Sequence, residues 1–253
     1  MKIVIKIGTS TLAHNGGRLN IRRTESLCRT ISDIANAGND VIIVSSGAIG
    51  MGVGKLSLGK RPDDIATKQA AAAVGQCELM YTYDRIFGQY NRTVAQILLT
   101  SSDFRHDDRH NNFNNTVTKL LELGAIPVIN ENDTVATDEI KFGDNDTLSA
   151  LVATSVKADM LIILSDIAGL YTADPDRDSS ASLIPRVNVI DDAIYAIAGG
   201  TDGLGTGGMK TKIDAAKICM EQDVTCIIAA GDNPEILYDI IDGKNPVCTV
   251  FSK

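Results

Sequence analysis

Tryptophan is missing from the 253 residues, and aromatics of all kinds make up only 4%. The core must therefore be mostly Ile, Val, Leu and Ala. No apolar run approaches the roughly 20 residues that a membrane span needs. The opening Met1-Lys2-Ile3-Val4-Ile5-Lys6 is too short and too soon broken by charge to be a secretory signal. Both absences point to the cytoplasm and away from membranes. The five cysteines, Cys28, Cys77, Cys219, Cys226 and Cys248, are odd in number and include no CxxC pair, so they read as reduced, mainly core residues of a cytosolic protein. No Lys/Arg-rich run occurs, and the formal net charge is −8. A surface of that sign repels nucleic acid and anionic lipid, which argues against both as partners. With only His14, His106 and His110 there is no Ser/His/Asp grouping for a triad hydrolase; His106 and His110, four apart, could share a helix face, but a metal site there would need further ligands.

What is present is an alternation. Short Ile/Val/Leu runs at 3–7, 41–44, 94–99, 126–129, 160–164, 187–190, 224–229 and 248–251 read as strands buried on both faces, as in parallel sheets covered by helices. Between them lie helical patterns at 21–37, 64–87, 147–158, 191–198 and 209–220, and a last one opened by Pro234. Gly38 suits a left-handed cap on the first. Strand alternating with helix predicts an α/β doubly wound sheet. At this length roughly three-quarters of the unfolded surface can be buried, and no low-complexity linker divides the chain. Residues 171–186, with Ala173-Asp174-Pro175-Asp176-Arg177-Asp178-Ser179-Ser180, read as an exposed excursion.

Open parallel sheets bind ligands outside the carboxyl ends of their strands. Here those ends carry polar groups. The first run closes on Lys6-Ile7-Gly8-Thr9-Ser10, where an ammonium at the end of a buried strand is costly unless paired. The second closes on Ser45-Ser46-Gly47-Ala48-Ile49-Gly50-Met51-Gly52-Val53-Gly54. Such a glycine-rich stretch is expected to be a loop whose main chain lies against something and whose N–H groups can hold an anion. The fourth closes on Asn130-Glu131-Asn132-Asp133 and is followed by Gly143-Asp144-Asn145-Asp146 at a helix start, where free N–H groups favour anionic partners; the carboxylates with their interleaved amides could bind an ammonium group, orient lysines or hold a metal. The fifth closes on Ser165-Asp166.

Gly203-Leu204-Gly205-Thr206-Gly207-Gly208-Met209-Lys210-Thr211-Lys212 contains a GxGxxG string. It follows a helical segment instead of a strand, so it fails the context test for a dinucleotide-binding turn. No GxxxxGK[ST] occurs, which excludes a P-loop. A glycine loop opening a helix, with Lys212 one turn in, suits a nucleotide polyphosphate.

Taken in order, Lys6–Ser10, Ser45–Ile49, Val128–Asp133, Gly143–Asp146, Gly169-Leu170-Tyr171-Thr172-Ala173-Asp174-Pro175 and Gly203–Met209 resemble the amino acid kinase family over essentially the whole chain. The resemblance implies a three-layer αβα sandwich with a mainly parallel eight-stranded sheet. It implies one domain, 1–253, whose N-terminal part mainly holds the acceptor and whose part from about 160 mainly holds ATP. The paired strings at 130–133 and 143–146 imply L-glutamate as acceptor, with Mg²⁺ and ATP, in the first step of proline synthesis. The labile acyl phosphate would be handed to a reductase, and a homo-oligomer is expected. Many family members carry a C-terminal PUA domain, for which a chain stopping at Lys253 leaves no room. Ser165 stands where Thr is common, and Lys210 where a small residue is common.

By the same resemblance, Ser46, Asn130, Asp133, Asp144 and Asn145 would hold glutamate. Lys6, Gly8, Ser165, Asp166, Thr206, Gly207, Gly208, Met209, Lys210, Thr211 and Lys212 would hold ATP. The catalytic group would be Lys6 and Lys212 oriented by Asp146. Sibling kinases acting on acetylglutamate, aspartate, carbamate or a nucleotide would share the ATP half, and a non-catalytic sensor would bind without releasing ADP.

Overall fold

The computed structural model describes residues 1–14, 18–136, 145–198 and 208–253. Strands are β1 (Lys2–Ile7), β2 (Asp40–Ser45), β3 (Val94–Leu99), β4 (Ile126–Glu131), β5 (Met160–Ser165), β6 (Arg186–Val187), β7 (Thr225–Ala230) and β8 (Cys248–Phe251). Helices are α1 (Thr9–Leu12), α2 (Ile21–Asn36), α3 (Ala48–Lys55), α4 (Ile65–Gly88), α5 (Asp107–Glu122), α6 (Asn145–Ser155), α7 (Asp192–Ala198), α8 (Met209–Glu221) and α9 (Ile236–Ile241). The strands form one eight-stranded sheet in the order β3-β4-β2-β1-β5-β7-β8-β6. Every pairing is parallel except β7 with β8.

Side chains alternate across a strand, and β1 shows what this does. Ile3, Ile5 and Ile7 join an apolar cluster with Leu27 and Ile31 of α2, Leu79 and Tyr83 of α4 and Leu237 of α9. Val4 points the other way, into a cluster with Leu148 and Val152 of α6, Phe113 and Val117 of α5 and Ile213 and Ala216 of α8. Two helix layers thus clothe one sheet. The same alternation puts Lys6 on Val4's face, toward α6 and α8.

Along the sheet and its covering helices, the structure departs from the sequence expectations as follows. The glycine-rich run after β2 is helix α3, not a loop. Its main chain does lie against something, but that something is α4. A Cβ built on Gly52 would sit 1.8 Å from the Ala71 carbonyl oxygen, and one on Gly75 1.7 Å from that of Ala48. Both glycines exist to let two helices touch. Of the run, only Gly47 (φ +104) needs a left-handed backbone. The run at 187–190 shrinks to the two-residue edge strand β6, paired only with β8. Helix α5 had no apolar pattern to announce it: only Phe113 and Val117, one turn apart, are buried. Excursion 171–186 is closed by a bridge between Tyr171 and Leu183.

Candidate active site

Three charged side chains meet at the carboxyl end of β1. Lys6 Nζ lies 2.5 Å from Asp146 Oδ1, and Lys212 Nζ lies 3.2 Å from Asp146 Oδ2. Asp146, in the first turn of α6, is wholly buried, and the lysine side chains are 7% and 6% exposed. Thr211 Oγ1, in the first turn of α8, also donates to Asp146 Oδ2 at 3.0 Å. Two ammonium groups thus share one carboxylate in a poorly hydrated place. Burial is costly for each ion alone, so the mutual pairing is what lets these three side chains sit there.

A neutral cluster adjoins it. Asn145, the residue before Asp146, donates through Nδ2 to the Ser45 carbonyl (2.9 Å), to Ser46 Oγ (3.0 Å) and to Asn130 Oδ1 (2.9 Å). Asn130 Oδ1 also accepts the main-chain N–H of Glu131 at 2.9 Å, and Asn130 Nδ2 donates to Gln76 Oε1 at 2.8 Å. The two clusters are therefore joined through adjacent residues on one helix turn. The helix begins at Asn145, two residues earlier than its sequence pattern indicates, so Asn145 and Asp146 are held rigidly by helical backbone.

The remaining expected residues fall nearby or outside. Ser165 ends β5, the neighbour of β1, and its hydroxyl donates to the exposed Asp166 at 3.0 Å. Gly8 caps α1 and Gly208 caps α8. Met209 is half-buried against the apolar cluster, and Lys210 is exposed. Asp133 lies in the turn after β4. Asp144, Thr206 and Gly207 lie outside the described residues. His106 and His110 do not form a pair of ligands: the ring of the first bonds the Ser102 carbonyl and that of the second bonds Ser155 Oγ, each at 2.8 Å. Four of the cysteines are buried as expected, and Cys77 is exposed. Burial, helped by Glu25, pushes the Cys28 thiol well above its ordinary range.

Sequence reasoning missed Gln76 and the support beneath the neutral cluster. Tyr83 Oη, fully buried, bonds Ser45 Oγ at 2.9 Å. Ala72, Gln76, Leu79 and Tyr83 form one buried line on α4. A glutamine within an otherwise apolar line at helical spacing was the available signal.

The profile of the Amino acid kinase family matches residues 1–230. This chain belongs to the amino acid kinase family. Among its curated relatives, the glutamate 5-kinase of Clostridium perfringens is 51% identical, over 99% of this chain and 94% of the relative. That of Symbiobacterium thermophilum is 47% identical, over 100% and 96%. Two solved structures share the fold at low identity. The UMP kinase of Ureaplasma parvum superposes with a TM-score of 0.69 at 17% identity, covering 100% of this chain and 98% of its own. The isopentenyl phosphate kinase of T. acidophilum gives 0.68 at 17%, covering 99% and 100%. The mainly parallel eight-stranded sheet between helix layers is thus the fold that this chain shares with them.

Proposed function

We propose that this chain is a glutamate 5-kinase: it transfers the γ-phosphoryl group of ATP to the side-chain carboxylate of L-glutamate, giving ADP and γ-glutamyl phosphate. The observation that carries the reading is the buried pairing of Lys6 and Lys212 on Asp146. A glutamate carboxylate is already ionised near pH 7, so the acceptor needs no general base. One of its oxygens attacks the γ-phosphorus as the bond to the β,γ-bridging oxygen breaks. What the protein must supply is positioning and positive charge against two mutually repelling anions. Lys6 and Lys212 supply the charge, and Asp146 holds both ammonium groups in place.

Ser46, Asn130, Asp133, Asp144 and Asn145 bind glutamate in this proposal. Gly8, Ser165, Asp166 and residues 206–212 line the nucleotide side. The division follows the sheet: the acceptor lies over β2 and β4, the nucleotide over β5 and α8. Among the described residues no three His, Cys, Asp or Glu side chains gather into a metal-binding group. In this reading magnesium enters with ATP, held by phosphate oxygens and water. No helix among the described residues is long and apolar enough to cross a membrane, and we place the enzyme in the cytoplasm as a homo-oligomer. Its product, an acyl phosphate, hydrolyses readily, so a reductase acting on it is the expected partner.

The test is ADP release that depends on glutamate, with the acyl phosphate trapped by hydroxylamine. Aspartate, acetylglutamate and carbamate serve as competing acceptors. Hydroxamate formed with one of these and not with glutamate would overturn the assignment.

A further inference from the structure

The amide relay running from Asn145 to Gln76 has a polarity that the main chain dictates. A main-chain N–H can only donate, so the Glu131 N–H fixes which end of Asn130 is oxygen. A main-chain carbonyl can only accept, so the Ser45 carbonyl fixes which end of Asn145 is nitrogen. Asn145 must then donate to Asn130, and Asn130 must donate to Gln76. The last member has no choice left: Gln76 turns its oxygen to Asn130 and its NH₂ away.

That NH₂ has no partner among the described residues, and it is shielded from solvent. Gln76 as a whole is 8% exposed. A sealed donor without an acceptor is unfavourable, and no surface water satisfies this one. A ligand oxygen seated in the amide cluster would supply the missing acceptor. The order of the relay tells which group. Asp146 and its two lysines stand at one end, Asn145 and Asn130 follow, and Gln76 is the member farthest along the relay from the charged centre.

We propose that Gln76 is a substrate-binding residue that donates a hydrogen bond to the α-carboxylate of the amino-acid acceptor. The proposal rests on the glutamate kinase reading, which places the γ-carboxylate among the lysines and so leaves the α-carboxylate for the far end. Gln76 then helps to select acceptors that carry a second carboxylate at the right reach.

The experiment uses the whole chain as Gln76→Met, which removes the donor at similar volume, and Gln76→Glu, which keeps the bond from Asn130 and turns the donor into an acceptor. Expected are a glutamate KM raised about tenfold in the first and more in the second, with kcat and the KM for ATP within twofold. Two competitive inhibitors separate a direct contact from an effect through Asn130. Glutarate keeps both carboxylates and lacks the ammonium, and its Ki rises with the glutamate KM. 4-Aminobutyrate lacks the α-carboxylate, and its Ki stays at the wild-type value.

An unmoved glutamate KM in both variants overturns the proposal and leaves Gln76 to a buried water or to packing. An equal rise in the Ki of 4-aminobutyrate overturns it as well. If neither variant folds, the side-chain amide resonance of Gln76 in the ¹⁵N-labelled wild type decides: it must shift with glutarate and stay put with 4-aminobutyrate. A wild-type enzyme that releases no ADP with glutamate would instead sink the kinase reading itself.

Discussion

The charged centre and the amide cluster share one turn of α6, yet they are held by different physics. Lys6, Asp146 and Lys212 come from β1, α6 and α8 and are gathered by Coulomb attraction within a poorly hydrated space. Both ammonium groups are held on the one carboxylate of Asp146. Ser46, Asn130, Asn145 and Gln76 carry no charge and are gathered by hydrogen bonds whose direction the main chain sets. The first arrangement can neutralise whatever anions meet there and has little means of telling them apart. The second holds donors and acceptors at fixed points and can distinguish one small acid from another. Rate should therefore depend on the first region and acceptor choice on the second.

Breaking the charged region should have the largest effect. Asp146→Asn leaves two buried ammonium groups without their counter-charge. It should lower kcat by about 10³ or more and destabilise the fold by about 3–5 kcal/mol, read by steady-state kinetics and urea unfolding. Normal kcat in that variant would remove the charged centre from the mechanism. Lys212→Met removes one cation and should lower kcat by about 10²–10³, with the glutamate KM little changed. A large rise in that KM with kcat retained would move Lys212 from the rate side of the comparison to the recognition side.

The floor of the neutral region gives the next test. Gly75→Ala pushes a methyl group into the Ala48 carbonyl, so α3 and α4 must part. A loss of about 1–3 kcal/mol is expected, together with weaker glutamate binding, because Gln76 is the next residue on α4. Unchanged melting temperature would mean the two helices are not in the contact described. The smallest effect is expected from Asp133→Ala, which should raise the glutamate KM about tenfold, worth about 1.4 kcal/mol, and leave kcat alone. If kcat fell instead, the turn after β4 would belong with the charged region.

Much of this division could be read along the chain. Runs of Ile, Val and Leu flanked by helical patterns predict a covered parallel sheet, and the strand ends name most of the polar residues that meet. Lys6 stands out in sequence because an ammonium at the end of a buried strand needs a partner. The misreadings share a cause. The glycines at 47–54 suggested an anion-binding loop, since local composition cannot say whether a close approach is to a ligand or to another helix. Gln76 passed as one residue of an alanine-rich helix, since nothing local shows that its oxygen is taken and its nitrogen is not.

The sequence by itself determined most of the strands, the buried strand end that carries Lys6 and the ordered strings that carry the family resemblance, because alternation, helical period and residue chemistry are properties of neighbouring residues. Only the tertiary structure decided that residues 6, 146 and 212 share one carboxylate, that Gly52 and Gly75 serve helix contact, and that an amide relay runs one way from Asn145 to Gln76. Those outcomes depend on distance and direction between segments far apart in the chain, and such directions exist only once the sheet has placed its helices.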